Sequence, residues 1–180
     1  NGSLKGTDSR LLTKSKLETS KGQVGLDGRL AFGDTIEFEG KVNGSQIQLG
    51  SLLQNESLGQ ISFNLDAQGS GATLNDLDAS LTAQIDSLGY NNYTFKDLKL
   101  DGEFKNGIGT LTSAYKDSNL NMKLNADVEL DSVASSARVN LDLIGADLQE
   151  LGLVKQNIKA AFNLQANFKG TATDYEVQSE

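Results

Sequence analysis

The stretch Leu120-Asn-Met-Lys-Leu-Asn-Ala-Asp-Val-Glu-Leu130 decides the fold. Leu120, Met122, Leu124, Ala126, Val128 and Leu130 are apolar, and every residue between them is polar. A period of two without a slip marks a strand with one dry face and one wet face. The question is what the dry face touches.

The same alternation recurs along the chain. Val24–Phe32, Ile36–Val42, Ile61–Gly69, Ala79–Ile85, Leu98–Phe104, Ala137–Leu143 and Ile158–Gly170 each hold one apolar register, and Gly109–Tyr115 holds a weaker one. Residues 10–17 and 173–177 are doubtful strands. Asn106-Gly107 signals a type I′ hairpin between two such runs. Gly33-Asp34, Tyr90-Asn91-Asn92-Tyr93 and Lys116–Asn119 read as further hairpin tips. Connections this short join antiparallel neighbours, because a parallel crossover needs a dozen residues or more. The expectation is an all-β chain, a curved antiparallel meander of around ten strands.

Two segments break the period. Gln48–Asn55 and Ala146–Gly152 space their leucines by three or four, which suggests two short helical pieces. They also mark a repeat, because Phe63-Asn64-Leu65 recurs as Phe162-Asn163-Leu164 and Gly71 as Gly170. Units then start near residues 46 and 145. The chain reads as a single segment, 1–180, of a longer repetitive array. Its start at Asn1, with no signal peptide, fits such a piece.

Helical pieces so short cannot cover the dry face. A closed sandwich, a barrel or an open trough could dispose of it. Gly28, Gly40, Gly69, Gly102 and Gly170 share the apolar register near strand ends, and glycine there lets a sheet curl. A groove would be lined by Ile36, Phe38, Ile61, Phe63, Leu65, Leu81, Ile85, Leu98, Leu100, Phe104, Leu120, Met122, Leu124, Val128, Leu130, Val139, Leu141, Leu143, Ile158, Phe162, Leu164 and Phe168. Such an aliphatic lining suits acyl chains.

Composition narrows the function classes. The chain has no Cys and no His, so the usual nucleophile, general base and transition-metal ligands are missing, and an enzyme is not expected. No catalytic residue, metal site or cofactor is expected. A net charge of −8 argues against nucleic acid as a partner and against a basic patch for anionic headgroups. Asp76, Asp78 and Asp86 form an acidic cluster without a calcium-loop pattern, and a solvated strand face explains it better. With no Trp, a carbohydrate-binding or adhesin sandwich is the second reading. Open strand edges could also self-associate.

Leu49-Gly-Ser-Leu-Leu53, Leu58-Gly-Gln-Ile-Ser-Phe-Asn-Leu65, Gly69-Ser-Gly71, Leu74-x-x-Leu77, Ile85-Asp-Ser-Leu-Gly-Tyr90 and Leu98-x-Leu100-x-Gly102 resemble the TamB family of Gram-negative bacteria, in its Bacteroidota form. AsmA-like proteins share the style. The resemblance covers roughly residues 45–170. It implies a periplasmic protein of the translocation and assembly module, anchored in the inner membrane, with a TamA-type outer-membrane partner. It also implies a β-taco whose hydrophobic groove carries phospholipid, or assists outer-membrane protein assembly and secretion. The family offers no catalytic residues, so only the groove stripe carries over.

Overall fold

The computed structural model describes residues 1–171 and the strand Tyr175–Ser179. The strands are β1 (Gly2–Thr7), β2 (Arg10–Thr19), β3 (Gly22–Phe32), β4 (Ile36–Gln48), β5 (Leu58–Gly71) and β6 (Asp78–Tyr90), followed by β7 (Tyr93–Lys105), β8 (Ile108–Lys116), β9 (Leu120–Glu129), β10 (Ser135–Asp147), β11 (Lys159–Gly170) and β12 (Tyr175–Ser179). All lie in one antiparallel sheet in chain order, an open meander whose edges are β1 and β12. The stretch 10–17 is firmly strand, and β1 adds an element that the sequence pattern had not revealed. Residues 173 and 174 of the doubtful C-terminal run lie outside the described residues.

The turns follow their residues. Asn106 and Gly107 both have positive φ, 50° and 72°, as a type I′ turn requires. Gln48–Asn55 contains helix α1 (Leu49–Leu53), closed by Gln54 in the left-handed region. The second helical expectation is corrected: Ala146 and Asp147 belong to β10, and the residues after them form turns held by the Leu151 N–H to the Asp147 carbonyl.

Strong packing runs only between sequence neighbours, so no second sheet lies over the first among the described residues. That removes the closed-sandwich alternative. Cross-strand rows carry the apolar face. One row runs Leu26, Val42, Leu65, Ala83, Leu100, Ser113, Leu124, Leu141, Leu164. The wet face carries ion pairs such as Lys14–Asp27, Arg29–Glu39 and Lys41–Asp66, whose side chains are more than half exposed. Such exposed pairs add little to stability.

Strand pairing repeats across the whole chain. Leu4↔Thr13 becomes Gly102↔Leu111, and Leu17↔Val24 becomes Tyr115↔Met122, each 98 residues on. Gly44↔Phe63 and Ile47↔Ile61 become Leu143↔Phe162 and Ala146↔Ala160, each 99 residues on. Even the bulge is shared, between Gly44 and Ile47 and between Leu143 and Ala146. By register, β1–β6 and β7–β12 are two copies of one six-strand unit. The charge pair opposite itself is inverted between them: Arg29 faces Glu39 in the first, and Asp127 faces Arg138 in the second.

Candidate functional site

The candidate site is the apolar face of the sheet. Ala126 and Ala166 are 5% and 8% exposed, although no second layer covers them. Their larger neighbours must lean over them. One cavity of about 1400 Å³ touches ten consecutive strands, β3 to β12, near the turns that follow β5, β7 and β9. Ten strands laid flat would span about 45 Å, so a single cavity of this size requires the sheet to curl. Its lining carries the unbroken ladder row from Arg29 and Glu39 through Glu103, Asp127 and Arg138 to Gln178, so this hollow lies on the wet, charged face, and Phe38, Phe104 and Phe168 between those positions face the other way.

Bulges shape the other end. Irregularities fall in β4 at Ser45–Gln46, in β6 at Asp86 and in β10 at Ile144. In β7, Asp97 takes a φ of 58°. All lie just past the level of Gly44, Phe63, Ile85, Leu98 and Leu143. A bulge bends its strand and raises its twist, so a line of them folds this end of the sheet over. It also shifts the period by one, which brings Ile47, Leu88 and Ala146 into the ladders beside the apolar rows.

That end is closed by a small core. Tyr115, Leu120, Leu143, Ala146 and Leu151 are buried, with Tyr93, Phe95, Leu98, Met122, Leu148 and Ala160 packed against them. Tyr93, Phe95 and Tyr115 stack edge to face, at ring centroid separations of 5.0 and 5.7 Å. Leu151 comes from the β10–β11 connection, whose Gly152 carbonyl accepts a hydrogen bond from the Asn91 side chain. The connection thus skips the β8–β9 turn and spans the trough's end as a lid.

Of the residues expected to line a groove, those in strands occupy the apolar rows. Leu130 and Ile158 fall just outside β9 and β11. Leu120 and Leu143 belong to the closed core, so they cannot line an open groove. Many of the others are open: Ile36, Phe162, Leu164 and Phe168 are 39–49% exposed. Tyr93, Phe95 and Leu151 were missed, because the bulges and the turn take them off the period of two.

The glycines divide into two kinds. Gly28 and Gly40 sit mid-strand, not near strand ends, and a Cβ there would meet nothing closer than 3.5 Å. Gly69 and Gly102 are crowded by leaning neighbours: a Cβ would lie 2.8 Å from Phe38 Cζ at Gly69 and 2.6 Å from Leu111 Cδ2 at Gly102.

The acidic residues are structural. Asp76 caps its own loop by accepting from the N–H groups of Ala72 and Thr73 and the Thr73 hydroxyl. Asp78 accepts from the Asn106 N–H, and Asp86 from Asn64. No group of acidic residues among those described could hold a metal ion. Asp117 accepts from the hydroxyls of Tyr93 and Tyr115 and from the N–H of Asn119 and Leu120.

These caps make stability acid-sensitive. Partial burial alone would raise the Asp117 pKa, but the tyrosine hydroxyls and the two N–H groups outweigh it and hold it to about 2. The Thr73 hydroxyl and the N–H groups of Ala72 and Thr73 hold Asp76 to about 2 as well. Asp131 is lowered by the N–H groups of Val133 and Ala134. Unfolded, each returns to about 3.9. A depressed folded pKa gives stability that is full above the unfolded pKa and is lost as pH falls through the folded one. The melting temperature is therefore expected to hold down to about pH 4 and drop steeply between about 4 and 2. In Asp76→Asn/Asp117→Asn, melting followed by circular dichroism should start lower at neutral pH and fall less on acidification. An unchanged acid slope would show that these caps do not set it.

Comparison of the chain with protein-family models, with curated proteins and with solved structures finds no match. No helix among the described residues is long and apolar enough to cross a membrane.

Proposed function

We propose that the apolar face holds the acyl chains of phospholipid, as a segment of a TamB-like envelope-assembly protein acting between two membranes. The observation that carries this reading is an apolar face many strands wide with no second layer over it among the described residues. Exposed apolar area on this scale marks a binding surface. Each methylene kept from water is worth about 0.8 kcal/mol, and a lining that stays apolar along its length lets a chain slide with little change in free energy. A polar headgroup would stay in solvent at the open side of the face. The sequence resemblance adds the periplasmic setting and a TamA-type partner, reached through parts of such a protein other than this segment. It also keeps a role in outer-membrane protein assembly within the same proposal.

Native mass spectrometry of protein purified from bacterial envelopes, followed by lipid extraction, tests the reading. Bound phospholipid is expected. Phe63→Asp and Leu124→Asp place a carboxylate on the apolar rows and should abolish it, along with uptake of a fluorescent fatty acid, while circular dichroism stays strand-rich. A folded wild-type chain that neither carries lipid nor takes up the probe would overturn it.

A further inference from the structure

We propose that a fork inside the sheet, between β7 and β8, binds a short extended peptide segment that carries an acidic side chain. The inference is independent of what the apolar face holds. β7 stays paired with β6 as far as Tyr90↔Tyr93. Its ladder with β8 stops at Lys99↔Ala114, while β8 continues with β9 to Lys116↔Asn121. The two strands therefore part beyond that rung, in the middle of the sheet. The positive φ of Asp97 turns β7 aside there. Side chains span the gap: the Lys96 N–H donates to the Tyr115 hydroxyl at 3.3 Å, and the hydroxyls of Tyr93 and Tyr115 both donate to Asp117. A whole tyrosine side chain stands where a ladder would need one hydrogen bond, so the backbones are too far apart to pair. A cavity of about 300 Å³ lies in the gap, lined by Thr94, Lys96, Asp97, Tyr115, Lys116 and Asp117.

The walls of the fork are backbone. Tyr90↔Tyr93 closes a two-residue hairpin, so Tyr93 and Phe95 turn their main-chain polar groups toward β6, and Thr94 and Lys96 turn theirs into the fork. On the other wall the Asp117 N–H donates to the Leu120 carbonyl across the β8–β9 turn, so Lys116 turns its N–H and C=O into the fork. Among the described residues no ladder partner meets Thr94 or Lys116 on that side. Main-chain donors and acceptors left open in this way are complemented by another extended main chain, which is how a sheet takes up a peptide. Charge selects the peptide. Lys96 and Lys116 stand on opposite walls, with no ion pair among the described residues. Asp117 is already filled by the two tyrosine hydroxyls and the N–H groups of Asn119 and Leu120. That leaves Asp97 as the open carboxylate of the lining against both ammonium groups. An acidic side chain therefore fits the mouth of the fork, although the chain as a whole carries −8.

Nuclear magnetic resonance of the whole chain, titrated with the capped tripeptide acetyl-Val-Glu-Val-amide to millimolar concentration, tests this. The amide signals of Thr94, Lys96 and Lys116 are expected to shift and saturate, while those of β2 and β3 stay in place. The glutamine analogue of the peptide should bind several-fold more weakly. In Lys96→Ala/Lys116→Ala, which changes exposed side chains and leaves the ladders intact, the two peptides should bind alike. A peptide methylated on its backbone nitrogens should not bind. The absence of a saturable shift at the fork, an equal response to the methylated peptide, or an undiminished preference for glutamate in the double variant would each overturn the proposal.

Discussion

Leu151→Ala is expected to lower stability by about 2–4 kcal/mol, within the usual cost of emptying a buried leucine site. The residue is 4% exposed, the lowest among the buried apolar residues. It is the one buried side chain that the β10–β11 connection contributes to the core under the lid. That core also contains Tyr115, whose hydroxyl accepts from the Lys96 N–H and donates to Asp117. Besides the half-buried Leu148, the rest of the connection is tied by hydrogen bonds such as Asn91 to the Gly152 carbonyl. Removing the leucine therefore leaves a void that the rigid aromatic trio cannot fill. For a domain of this size the loss corresponds to a fall of about 5–15 °C in melting temperature. Hydrogen exchange should localise it: amides of β7 to β10 near the lid lose protection, and those of β2 and β3 do not. A fall of a degree or less would mean the lid contributes little and the trough's end is open in solution.

Most of the sheet was legible because its physics is local. Alternation sets which residues share a face, and two-residue turns such as Asn91-Asn92 force antiparallel neighbours, so the meander follows without long-range information. The open form was harder to read. Composition could not separate a trough from a sandwich, since both want one apolar face per strand. The repeat was half visible. Phe63 and Phe162 show it in letters, but β1 and β7 share a register with almost no shared residues: Leu4 stands where Gly102 does. Backbone pairing repeats even where side chains have drifted, and a pattern of residue types cannot register that.

The site was legible only where the period held. Phe38, Leu65, Leu124 and Phe168 all fall on it and line the open face. Tyr93 and Phe95 fall off it, because the positive φ of Asp97 displaces the period between them and Leu98. An aspartate between two alternating runs of opposite phase was the available sign, since aspartate tolerates that backbone region better than most residues. Leu151 reaches the core from a turn, where no period exists to be read.

Gly69 and Gly40 should respond oppositely to the same chemistry. Both lie on the apolar register of adjacent strands, and Phe38↔Gly69 and Gly40↔Ala67 are their ladder partners. A Cβ at Gly69 would collide with the Asp78 carbonyl oxygen and lie 2.8 Å from both Ala79 Cβ and Phe38 Cζ. The phenyl ring could swing aside, but the carbonyl belongs to a backbone fixed by the β5–β6 ladder. Gly69→Val is therefore expected to cost about 1–3 kcal/mol, the usual penalty for overpacking. At Gly40 the nearest atom to a Cβ is the Asp27 carbonyl oxygen at 3.6 Å, an ordinary contact. Its φ is not in the left-handed region, so alanine fits without strain. Gly40→Ala should then stabilise by about 0.4–1 kcal/mol, chiefly by removing freedom from the unfolded chain. Thermal melts of the two variants side by side read the sign directly. If the Gly69 variant were as stable as the parent, neighbouring side chains would not be leaning over that glycine. If the Gly40 variant were destabilised, the open stretch between β3 and β4 would be tighter than 3.6 Å of clearance allows. The opposite signs together would establish that the apolar face is crowded at β5–β6 and relaxed at β3–β4.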